Sequence, residues 1–110
     1  MPVKLAIGIS TPAVESLAEL LDERCNSFEV QYVRKVLGRM LHVRNTMRVL
    51  PNGVIKAQLL ELYYRHTVEN IVESPTGKAM PRKVLSMLLN VIDTMRKVHC
   101  AEFKKKTLMP

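Results

Sequence analysis

Residues 81–103 read PRKVLSMLLNVIDTMRKVHCAEF. In this stretch Leu85, Leu88, Ile92, Met95 and His99 recur by three and four residues, the period of one buried face of an α-helix. Pro81 suits the opening of such a helix, where a missing N–H leaves no hydrogen bond unmade. A helix of this kind is marginal alone in water and must bury its stripe against other elements. The question for the rest of the chain is what supplies them.

Working outward, the same period appears three more times. Thr11 followed by Pro12 matches an N-cap with proline at the first helical position. Val14, Leu17, Ala18, Leu21 and Cys25 then mark a helix over about residues 12–25. Ser27 can cap a second helix whose apolar face is Val30, Val33, Leu37, Met40 and Leu41, ending near Val43. Asn45 or Thr46 starts a short helical turn through Leu50, and Pro51-Asn52-Gly53 breaks the chain. From Val54 to about Glu73 a third long pattern places Ile55, Leu59, Leu62 and His66 on one stripe. Tyr63, Val68, Ile71 and Val72 extend it beyond an irregularity at Thr67, so this stretch reads as one helix or two. Ser74 to Ala79, with Pro75 and Gly77, reads as an exposed loop. No run alternates long enough for a strand. The expectation is an all-α, compact bundle of four to five helices forming one domain over residues 1–110. Residues 1–10 are read as an N-terminal extension and 104–110 as a basic tail.

Composition permits this. At 110 residues, 47% hydrophobic and 25% charged, the chain has the make-up of a single globular unit. No apolar run approaches the roughly 20 residues that span a bilayer, and Val3 to Ile9 lacks the length and cleavage pattern of a signal peptide. These features place the chain inside the cell, away from membranes. Cys25 and Cys100 have no CxxC partner and read as reduced thiols packed as small hydrophobes. A disulfide would need a secreted setting. Zinc has no ligand set, since His42, His66 and His99 are far apart and only His99 adjoins a cysteine. No cofactor is expected.

Charge is the feature with functional content. The formal net charge is +7, yet residues 1–29 carry two basic and five acidic side chains, and residues 30–110 carry fifteen basic and five acidic ones. Arg34, Lys35, Arg39, Arg44 and Arg48 fall in fifteen residues without an acid. Lys78, Arg82 and Lys83 form a second basic island, and Arg96, Lys97 and Lys104 to Lys106 a third. If they converge, they can hold phosphate backbones; singly, each is read as a solvated face. The aromatic residues Phe28, Tyr32, Tyr63, Tyr64 and Phe103 do not interleave with them as a stacking platform requires. A helix-turn-helix over residues 34–66 is a minor alternative, because its connection is longer than that motif uses.

Enzymatic readings have little support. Glu15, Glu19, Asp22 and Glu23 lie at helical spacing on the solvent side of the first stripe. Pro75-Thr76-Gly77-Lys78 lacks the upstream glycine and strand of a phosphate loop. Met40, Met87 and Met95 read as core, whereas Met47 and Met80, beside turns, are the better candidates for an adaptable groove.

One resemblance narrows the choice. A helix, then Thr46-Met47-Arg48-Val49-Leu50, then Gly53-Val54 with Lys56, then a helix closing on Arg65-His66, is similar in rhythm to the TFIIS N-terminal domain family, the small helical bundles of transcription elongation factors related to integrase-binding domains. The second helix is one or two residues longer than that pattern, and no tryptophan stands in the last helix. The resemblance implies a nuclear, non-enzymatic module that captures a disordered acidic peptide bearing a phenylalanine. Val49, Leu50 and Val54 would form the slot, and Arg39, Arg44, Arg48, Lys56 and Arg65 the electrostatic rim. A nucleic-acid-binding domain using the second helix and terminal lysines is the second expectation. A self-assembling structural protein, viral or otherwise, is the third.

Overall fold

The computed structural model describes residues 3–9, 11–51 and 53–107, with side chains through Lys104. Among them are five helices: α1 (Pro12–Arg24), α2 (Ser27–Met47), α3 (Val54–Glu73), α4 (Pro75–Ala79) and α5 (Arg82–Thr107). The protein is an all-α bundle. Asn52 of the expected turn and residues 108–110 of the expected tail lie outside the described residues.

Local chemistry sets the helix starts. The Thr11 hydroxyl accepts from the Val14 N–H ahead of Pro12. Asn26, not Ser27, caps α2: its side chain accepts from the Glu29 N–H at 2.9 Å while the Glu29 carboxylate accepts from the Asn26 N–H at 3.0 Å. α2 runs unbroken to Met47, so the expected stop at Val43 and separate turn at Asn45 are absorbed into it. α3 is a single helix, and at Thr67 the hydroxyl bonds back to the Tyr63 carbonyl while the ladder continues.

α5 is the central element. Its 26 residues rise about 39 Å, most of the 48 Å long axis of the molecule. Val84, Leu88, Val91, Ile92, Met95, His99, Cys100 and Phe103 are buried along it, chiefly against α3 and α1. Lys104 to Lys106 continue this helix instead of fraying as a tail.

Three further expectations are corrected. Ser74 to Ala79 is not an open loop, since the Ser74 hydroxyl caps α4 at Gly77 and Gly77 itself is buried. Residues 3–9 do not trail as an extension. The Val3 N–H donates to both oxygens of Asp22, and Ile7 enters the core. Most consequentially, α3 buries a different face from the one its large aliphatics suggest. Lys56, Ala57, Leu60, Tyr64 and Ile71 face inward, and Ile55, Leu59, Leu62 and His66 face solvent.

Gly38 lies on the exposed side of α2, and a Cβ there would meet nothing within 4 Å. A glycine inside an exposed helix costs about 0.5–1 kcal/mol relative to alanine. Gly38→Ala is therefore expected to raise the free energy of unfolding by about that amount, read from the urea midpoint at unchanged slope. A lower midpoint would show that the strap at residues 3–9 already needs the space.

Candidate partner-binding groove

At the corner between the end of α2 at Met47 and the start of α3 at Val54 lies a groove of about 500 Å³. Met47, Leu50, Pro51, Val54, Ile55 and Leu59 line it. Two of the three expected slot residues, Leu50 and Val54, are therefore in its wall, and Val49 stands beside it at 83% exposure. Ile55, at 73%, and Leu59 belong to the stripe that sequence reading assigned to the core. Leu62 continues that ridge one turn further along α3. Met47 lines the groove, but Met80 is buried elsewhere in the core.

The expected rim does not assemble as one ring. Lys56 is only 6% exposed: its ammonium donates to the Leu50 carbonyl at 2.8 Å and lies 4.2 Å from the centre of the Phe103 ring. It ties the groove's turn to the end of α5, and is not a surface cation. Arg44 and Arg48 both converge on Glu102 of α5, with N–O distances of 3.0 and 3.1 Å. Burial works to raise the Glu102 pKa, but the hydrogen bonds and charges of Arg44 and Arg48 prevail and hold its carboxyl below the usual range. This trio retains one net positive charge beside Met47. The Nε of Arg44 is buried and has no hydrogen-bond partner among the described residues.

Arg39 is exposed on α2, about 12 Å of helix rise before Met47. Arg65 lines a separate cleft of about 400 Å³ between α3 and α5, with Tyr64, Val68, Ile92, Asp93 and Arg96. Arg96 pairs there with Asp93 at 3.1 Å and Glu61 at 3.6 Å, so this cleft is internally neutralised. Its lining is mixed in charge, with Glu61, Glu69 and Asp93 beside Arg65 and Arg96.

Behind the groove, the Tyr64 hydroxyl and the His99 Nδ1 share a hydrogen bond in the core. Burial foremost, aided by the nearby Arg44 charge, lowers the His99 pKa to about 4. The imidazole is neutral at pH 7. Burial likewise pushes the Cys100 thiol up to about 11, and its Sγ lies 3.9 Å from the Ala57 carbonyl oxygen. Both cysteines are free thiols. Among the described residues, no three His, Cys, Asp or Glu side chains cluster as a metal site would need, and no helix is long and apolar enough to cross a membrane.

Comparison with protein-family models, with curated proteins and with solved structures gives no match.

Proposed function

We propose that the protein is a non-enzymatic interaction module that captures short disordered segments of other proteins in the groove between α2 and α3. The observation that carries this reading is the exposure of Val49, Leu50, Val54, Ile55, Leu59 and Leu62 over one corner of the fold. Scattered apolar residues on a surface need no explanation, but a contiguous set around a concavity marks a binding site. An aromatic or aliphatic anchor fits a groove of about 500 Å³. The positive charge left over at Arg44, Arg48 and Glu102 favours acidic flanks and faster encounter. Through the resemblance to TFIIS N-terminal domains, the partners are proteins of the transcription or chromatin machinery in the nucleus. α3 does begin at Val54 after Gly53, in the manner of that pattern, although it runs on past Arg65-His66 to Glu73.

Selection of a random peptide library on the folded domain tests this. Enriched sequences are expected to share one large apolar residue flanked by Asp and Glu. Leu50→Asp and Ile55→Asp should each weaken the selected peptides at least tenfold, because a buried unpaired carboxylate would face the anchor. Both side chains are exposed, so stability should move by no more than about 0.5 kcal/mol. Peptides that bind these variants as tightly as the parent would displace the site from this corner. A concentration-dependent dimer abolished by Ile55→Asp would assign the corner to a second copy of the chain instead.

A further inference from the structure

The outward face of α2 is a second surface, separate from the groove. Gln31, Arg34, Lys35, Gly38, Arg39 and His42 are all exposed and recur at helical spacing, and no acid occurs between Val30 and Met47. Among the described residues, five lysines and arginines outside this face pair with carboxylates. Arg44 and Arg48 share Glu102, Arg96 and Lys97 share Asp93, and Lys104 reaches Glu61. Among the described residues, Arg34, Lys35 and Arg39 have no such carboxylate.

Two clefts open along this stripe and share Arg34. In one, of about 490 Å³, Phe28 and Tyr32 stand with Gln31, Arg34 and Lys35, so the folded helix does set two rings among cations, contrary to the expectation from sequence spacing. Phe28 is 68% exposed, while the Tyr32 hydroxyl is fixed by a 3.2 Å hydrogen bond to Ser74. The other, of about 220 Å³, lies between the strap and α2, where Lys4 and Arg34 flank the bare backbone at Gly38. Arg39, exposed next to Gly38 on the same helix, lines neither cleft, and nor do Lys78, Arg82 and Lys83.

We infer that this face binds single-stranded nucleic acid, with a base stacked on Phe28 and successive phosphates held by Arg34 with Lys35, then by Lys4 and Arg39 over Gly38. An aromatic face beside unpaired cations is the combination that takes bases and backbone together. A purely acidic chain such as poly-glutamate would use the charges but not the ring. A duplex, with its bases already stacked, would also leave Phe28 idle. Gly38 has its own place here, since a side chain would stand where the backbone of the strand approaches the helix.

Fluorescence anisotropy with labelled 20-mer single-stranded DNA and RNA, the matching duplex and poly-glutamate tests the assignment. The single strands are expected to bind best, and to lose about tenfold or more between 50 and 200 mM salt. The combined Arg34→Glu, Lys35→Glu and Arg39→Glu variant should lose at least tenfold more. Phe28→Ala should lose at least fivefold with little change in salt slope. Gly38→Ala should weaken binding while leaving the helix content intact, and Leu50→Asp in the groove should leave it unchanged. Circular dichroism confirms that each variant is folded. Equal binding of duplex or poly-glutamate, or a Phe28→Ala variant that binds as the parent does, overturns the proposal, as does retention of binding after the triple charge reversal.

Discussion

Gly77→Ala is expected to destabilise the protein by about 3 kcal/mol or more, enough to leave little margin in a small domain. A Cβ at this position would lie 1.8 Å from the Ile71 carbonyl oxygen and 2.9 Å from its carbon, both backbone atoms that cannot swing aside. The corner from α3 to α4 would have to open. Opening it breaks a chain of hydrogen bonds centred on Ser74, whose Oγ donates to the Ile71 carbonyl, accepts from the Gly77 N–H and meets the Tyr32 hydroxyl. The same substitution at Gly38, where space is open, has the opposite expected sign. Measured together by urea denaturation, the pair separates steric crowding from the general helix preference for alanine. A Gly77→Ala variant within about 1 kcal/mol of the parent would show that the corner yields cheaply.

That corner also shows why parts of the fold were legible and others were not. Thr11-Pro12 and Ser74-Pro75 are the same capping signal, yet only the first was followed by a long apolar stripe. The five residues of α4 are too few for periodicity to register, and Gly77 argued for a turn when its real constraint is a close backbone approach. α5, α1 and most of α2 were readable because each offers one apolar stripe and one polar face. α3 offers two candidate faces. The outward one carries the larger aliphatics Ile55, Leu59 and Leu62, while the inward one contains Lys56, small Ala57 and Tyr64. Partners that no local pattern reveals reverse the preference. Ala57 lets Cys100 of α5 approach, Tyr64 finds His99, and Lys56 finds the Leu50 carbonyl and the Phe103 ring. The candidate groove follows from the same reversal: Leu50 and Val54 were identifiable beside a turn, but Ile55 and Leu59 join them only because α3 is rotated away from its most hydrophobic side. The rim failed for a related reason, since charges close in sequence say nothing of Glu102, 54 residues from Arg48, which draws Arg44 and Arg48 onto α5.

The buried Tyr64–His99 pair makes the fold acid-labile above the range where carboxylates alone would do so. Unfolded, the imidazole takes a proton near its ordinary value of 6.5; folded, burial and the Arg44 charge delay protonation to about 4. The folded state thus binds fewer protons between these limits, and stability rises with pH there. The contribution is fully present above about pH 6.5 and is lost as pH falls toward 4. A shift of this size corresponds to about 3 kcal/mol. Glu102, also lowered, adds loss in the same direction but at more acid pH. His99→Gln separates the two, because an amide can still hydrogen-bond the Tyr64 hydroxyl and does not titrate. Urea unfolding at pH 7, 5 and 4 should show the parent losing about 2–3 kcal/mol and the variant less than half of that, from a lower starting value at pH 7. Parallel curves for the two proteins would mean that His99 takes up its proton without leaving the core, and would move the acid sensitivity to the Glu102 clamp between α2 and α5.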